Sequence, residues 1–233
     1  MVKQFFFYYV HCSRAVSASL VVDFADFPVN SKIIDFSQFS GSVAFGTTPV
    51  QVGSLVNENV TWVTEYNGPL ILGLPSPAFY RFADNGDWTD GKTFAGVNAQ
   101  PDNLIFSMRF IFHDGPVNFV GGFMNYTPDL ERIRFKEARI SALDAEGNIL
   151  ESYDLMTDAP ISTPNMNNAG EYRGIQRAQV DIHAFELSNG VIAIDDLTFN
   201  RESNTVIPEP SSLFLFLFGF LSSKVLPSRN NCH

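Results

Sequence analysis

The clearest hydrophobic pattern in the chain is the strict alternation of residues 104–112, LIFSMRFIF. Leu104, Phe106, Met108, Phe110 and Phe112 fall on one side, while Ser107 and Arg109 fall on the other. A period of two sends successive side chains to opposite faces, so this segment reads as a core strand. Shorter signals of the same kind occur at 61–66, 78–82, 117–123, 138–143, 149–155, 179–185 and 191–199. About eight short strands predict an all-β fold, an antiparallel sandwich. One pairing is specified locally. RISAL at 139–143 and ILESY at 149–153 flank Asp144-Ala145-Glu146-Gly147-Asn148, where Gly147 supplies the positive φ of a hairpin loop. Pro160, Pro164 and the run 165–170 predict a long polar loop of the kind that binds a ligand or metal.

Composition agrees, with 23 Phe, 16 Gly and 13 Pro favouring short strands joined by turns. The net charge of −10 deepens once the two ends are set aside. Lys3, Arg14, Lys224 and Arg229 lie in the ends against one acid, Glu209, leaving the centre near −13. That sign argues against nucleic acid as a partner. Cys12 and Cys232 also lie in the ends, so the central domain holds no internal disulfide.

Residues 1–18 run from Met1-Val2-Lys3 through the apolar stretch Phe5 to Val10, and on to Val16-Ser17-Ala18, whose small residues suit a signal-peptidase site. They read as a degenerate signal peptide. At the other end Pro208-Glu209-Pro210 precedes Ser211-Ser212, nine unbroken apolar residues from Leu213 to Leu221, and then Lys224 and Arg229. Nine residues are too few to span a bilayer, but the run extends to Leu226 with Lys224 snorkelling. The charge order holds such a tail on the cytoplasmic side. The two prolines keep the tripeptide extended and unpaired, open to an enzyme.

This order of tripeptide, apolar run and basic residues resembles the PEP-CTERM sorting signal of Gram-negative bacteria. The resemblance implies recognition by an exosortase-type membrane enzyme cutting at or near Pro208, Glu209 and Pro210. It also implies transient anchoring in the inner membrane and delivery to the cell envelope or extracellular matrix. Here the apolar run is shorter, and the basic cluster thinner, than in the family. The stretches FVGGFMNY, ISALDAEGNILESYDL, AGEYRGIQ and SNGVIAIDDLTF are similar to the jelly-roll domains, of galactose-binding or carbohydrate-binding-module type, that many PEP-CTERM proteins carry. That likeness implies a fold rather than an activity. The chain thus divides into a signal peptide at 1–18, a β-sandwich at 19–204, and a sorting tail at 205–233 with a short apolar transmembrane helix.

Within the sandwich, alternation puts Val191, Ala193, Asp195, Leu197 and Phe199 on one face of the last strand, with Asp196 opposite. A carboxylate among apolar neighbours needs compensation from backbone donors, an arginine or a cation. Related carbohydrate-binding jelly rolls hold a structural calcium with an Asp in this terminal motif, which makes Asp195 the candidate metal ligand. Glu171, Asp23 and Asp26 are the candidate partners. The acidic loop Asp84 to Gly91 misses EF-hand spacing and reads as a turn. Trp88 within it, Tyr126 and Tyr172 are the aromatics that could meet a sugar ring.

His113 and His183 are single, and no zinc-protease pair, nucleophile elbow or phosphate loop is present in the sequence. The reading is an exported, non-catalytic protein with a structural or adhesive part in exopolysaccharide or biofilm. The alternatives are a calcium-supported carbohydrate-binding module, with polysaccharide as partner, and a glycoside hydrolase whose paired carboxylates meet only in space.

Overall fold

Alternating segments need a partner sheet to bury their apolar face, and the computed structural model shows how this chain supplies one. It describes residues 18–39, 47–64, 71–72, 94–97, 107–126, 138–160, 171–190 and 192–201. The chain divides into two units, Met1–Ser203 and Asn204–His233, and the described residues all belong to the first. The expected strand at 78–82, the loop at 165–170 and the tail lie outside the described residues. Among the described residues no helix is long and apolar enough to cross a membrane.

The strands in order are β1 (Ala18–Val21), β2 (Lys32–Ile34), β3 (Val50–Gln51), β4 (Val60–Thr64), β5 (Ile71–Leu72), β6 (Ala95–Val97) and β7 (Ser107–Phe112). There follow β8 (Phe119–Tyr126), β9 (Arg139–Leu143), β10 (Ile149–Asp154), β11 (Glu171–Arg177), β12 (Ala184–Ser188) and β13 (Ile192–Asn200). A single helical turn, Leu155–Asp158, follows β10. One sheet runs β1-β11-β8-β13-β6-β5, with β2 also paired to β13, and the other runs β10-β9-β12-β7-β4-β3. The strand pairs are antiparallel. The fold is an all-β sandwich.

Its core is one cluster drawn from both sheets. Trp62, Phe110, Ile140 and Phe185 come from the second sheet; Val120, Met124, Tyr126, Ile175, Ile194 and Phe199 come from the first. Each large side chain fully buried here contributes about 1.5–3 kcal/mol. The expected hairpin joins β9 to β10. Gly147 takes φ 83°, and Asp144 Oδ1 accepts from the N–H groups of Glu146 and Asn148 at 3.0 and 2.7 Å. Asn148 outweighs the other influences on that carboxyl, which is held below its ordinary value.

One expected strand shifts, and one strand was not expected. The strand expected at 179–185 begins at Ala184, with Ile182 making only an isolated bridge to Val117. The cause is local: Arg177 grips Asp181 through two hydrogen bonds and bends the chain between them. β11 lacked a recognisable pattern, because Arg173 and Arg177 share the inward face with Ile175.

The outer face of the first sheet carries a second cluster of Val21, Phe119, Phe123 and Tyr172, packed by Phe27. Phe24 lies 5.1 Å from Phe123 and 5.4 Å from Tyr172 between ring centres, so residues 24–27 strap this face. Where the chain leaves β13, Arg201 and Lys32 both reach Glu58, each at 2.5 Å. Arg201 also donates to the Gly115 carbonyl and lies over the Phe199 ring.

Candidate functional site

The last strand carries the strongest sequence candidate, and its register sets where the carboxylates go. Asp195 pairs with Phe123 of β8, yet Thr198 pairs with Gly121, so two residues of β13 oppose Gly122 alone. This is a β-bulge, and Asp196 occupies it with φ 49°, a left-handed value that a short polar side chain tolerates. Gly122 is required opposite it, since a Cβ there would lie 2.7 Å from the Asp195 carbonyl oxygen.

The bulge corrects the face assignment. Ile192 and Ile194 point into the core before it, and Leu197 and Phe199 after it. Asp195 therefore parts from Leu197 and Phe199 and joins Ala193 on the outer face. The extra residue shifts the phase of the alternation by one, which an unbroken period-two reading cannot show.

On that face Asp195 is wholly buried, and one of its oxygens accepts the Asp196 N–H at 2.8 Å. Thr198 Oγ1 donates to the Asp196 carbonyl at 2.8 Å. Burial, with the Asp196 charge adding to it, pushes the Tyr172 hydroxyl far above its ordinary value. Asn125 belongs to the same layer, because Met124 and Tyr126 face the core and Phe123 faces outward. Asn125 is fully buried, and among the described residues neither of its side-chain polar atoms has a hydrogen-bond partner. It sits diagonally across from Asp195, since its own partner is Ala193.

The other metal candidates do not join this layer. The Asp23 carboxylate caps its own turn by accepting from the Ala25 N–H at 2.9 Å; Glu171 lies 3.6 Å from Arg173; Asp26 is exposed. Among the described residues no three acidic, histidine or cysteine side chains lie close enough to hold one metal ion. Oxygens at hand for a hard cation are those of Asp195, Asp196 and the Asn125 amide, short of the six to eight that calcium takes.

The aromatic candidates also need correction. Tyr126 is wholly buried in the core, and its hydroxyl donates to the Ala159 carbonyl at 2.5 Å, so it offers no face to a ligand. Burial pushes it up to about 12, against the Arg173 charge and hydrogen bond. Tyr172 is sealed beneath Phe24 and Phe27. Trp88 and the processing tripeptide Pro208, Glu209 and Pro210 lie outside the described residues.

One constellation was missed. The ends of β7 and β12 and the 144–148 hairpin loop enclose a cleft of about 430 Å³ on the outer face of the second sheet. His113 and His183, single in sequence, both line it. The signal available was the alternation of β7 itself, which places Arg109, Ile111 and His113 together on that face.

No family model matches the chain, and no curated protein matches it. Among solved structures, the enzymatically active domain of tailspike protein 4 from bacteriophage CBA120 is similar at 14% identity with a TM-score of 0.29. The likeness covers 71% of this chain, which spans only 20% of the tailspike chain. A likeness at that level assigns this chain no activity.

Proposed function

We propose that the chain is an exported surface or extracellular-matrix protein of a Gram-negative bacterium, sorted by an exosortase-type enzyme. Its role is non-catalytic, structural or adhesive in exopolysaccharide. The sandwich is of jelly-roll type in this reading, and the apolar run after Pro210 forms a short helix that holds the chain transiently in the inner membrane. The observation that carries it is the separation of cargo from address. The last strand ends at Asn200, Arg201 is tied back to Glu58, and the division between units falls after Ser203. Pro208-Glu209-Pro210 stands beyond all three, so a cut there removes none of the described strands.

Mass spectrometry of the protein from native cells tests this. The expected mature chain ends near Pro208 to Pro210; a mature chain that keeps Leu213 to Leu226 overturns the sorting reading.

A second reading, a calcium-supported carbohydrate-binding module, is favoured by Asn125, a buried amide with neither polar atom partnered among the described residues, diagonally across from Asp195. A cation in that layer would give the amide oxygen a partner and offset the buried charge.

A further inference from the structure

Strand register lays out two rows of side chains across the outer face of the second sheet. Thr61, Ile111, Ala184, Leu143 and Ile149 stand side by side from β4 through β7, β12 and β9 to β10. Beside them runs the row Val63, Arg109, Glu186, Ser141 and Ser152. At about 4.8 Å between strands, each row is about 19 Å long. One is mainly apolar and the other mainly polar.

The two arginines of this face are each paired with a carboxylate. Arg109 Nε donates to Glu186 at 2.6 Å, Arg139 Nε donates to Asp154 at 2.6 Å, and the hydroxyls of Ser141 and Ser152 lie 3.1 Å apart. The 430 Å³ cleft opens over the apolar row, with Ile111, Leu143 and Ala184 in its lining and Arg109, His113 and His183 around them. The His183 peptide is used on both sides, donating to the Leu143 carbonyl at 2.8 Å and accepting from the Phe112 N–H at 3.0 Å. Its ring, however, makes no hydrogen bond among the described residues. The His113 ring spends one nitrogen on Thr61 Oγ1 at 2.9 Å. Both imidazoles therefore bring free hydrogen-bonding capacity to a half-apolar cleft.

We propose that this cleft and its two rows bind a neutral polysaccharide strand lying across the sheet. The C–H faces of the sugar rings rest on Thr61, Ile111 and Ile149, the accessible members of the apolar row, and their hydroxyls meet the imidazoles, the Arg109–Glu186 pair and Ser152. Apolar lining with a few convergent polar groups is the common make-up of a ligand site of this size. The choice of a neutral polymer follows from charge: the arginines of the rows are paired, and Asp144 and Glu146 edge the cleft in a domain near −13, which repels an acidic chain. This inference deepens the adhesive reading above and rests on it; it uses neither calcium nor the aromatics singled out from the sequence.

The test is native gel electrophoresis of the full chain in mild detergent, through gels containing dextran, hydroxyethylcellulose or the acidic polygalacturonate. Retardation by a neutral polymer is expected, weakened about tenfold or more in His183→Ala and in Ala184→Phe, which fills the cleft. As a check needing no variant, the retarding polymer should protect His183 of the unaltered chain from diethyl pyrocarbonate. Retardation that survives both substitutions without protecting His183 overturns the site and leaves adhesion standing. Retardation by polygalacturonate alone, or by no polymer, overturns the neutral-strand assignment, whereas the sorting reading stands or falls separately on the mass of the mature chain.

Discussion

The guanidinium of Arg177 donates to both carboxylate oxygens of Asp181, at 2.7 and 2.9 Å, while reaching the Leu150 carbonyl of the opposite sheet at 3.4 Å. Asp181 raises the affinity of Arg177 for its proton against the opposing effect of burial. An Arg only 8% exposed in its side chain thus ties β11 to the edge strand β10. Replacing the acid leaves a buried cation with Glu151, at 3.7 Å, as its remaining carboxylate. Asp181→Asn should lose about 2–3 kcal/mol in urea unfolding at an unchanged m-value. A loss below about 0.5 kcal/mol would show that solvent screens the pair.

Glu58 gives the fold an acid limb. Burial pulls its carboxyl upward, but the hydrogen bonds and charges of Arg201 and Lys32 outweigh it and hold the group below 4.5. The unfolded chain consequently takes up the proton first as pH falls. The clamp's contribution is complete above the unfolded value and is lost as pH drops through the lower folded one. Glu58→Gln should be less stable than the unaltered chain at pH 7, by about 2 kcal/mol. Melts taken between pH 7 and 3 should show that gap closing; a constant gap would sink the assignment.

The bulge makes Gly122 intolerant of any side chain. A Cβ would sit 2.7 Å from the Asp195 carbonyl oxygen and 2.7 Å from two Ile194 carbons. Gly122→Ala should cost about 3 kcal/mol. Gly147→Ala is the control, because no heavy atom lies within 4 Å and only the positive φ opposes it, at about 1 kcal/mol. Equal losses in thermal melts would mean that the bulge relaxes without strain.

Calcium should raise the melting temperature of the full chain, and a chelator should lower it, if the Asp195 layer holds a cation. Asn125→Ala and Asp195→Asn should each abolish the difference. Melting curves indifferent to both calcium and chelator would remove the second reading.

How much was legible in the sequence follows from where the alternation was pure. β4, β7 and β9 announced themselves through apolar residues at every second position, and the 144–148 loop through Gly147. β11 did not, since Arg173 and Arg177 occupy inward positions and reach groups distant in sequence: the Ala159 carbonyl for one and, besides the nearby Asp181, Leu150 and Glu151 for the other. The place of Asp195 was half legible, for its burial could be read and its face could not. A bulge depends on Gly122, about seventy residues upstream, and no local pattern reports it. The histidines of the cleft were visible as residues but not as neighbours, because strand order brings β7 beside β12.

The last of the described strands to be synthesised, β13, lies inside its sheet, with β8 on one side and β2 and β6 on the other. A chain delivered amino end first cannot close that sheet until residues 192–200 arrive, however early the others are ready. Until then the β8 and β6 edges stay open, and nascent chains arrested before residue 192 should be cut readily by protease there. If the chain is exported as proposed above, such delay would leave this sheet unclosed, and the chain easier to thread, until nearly all of it has crossed.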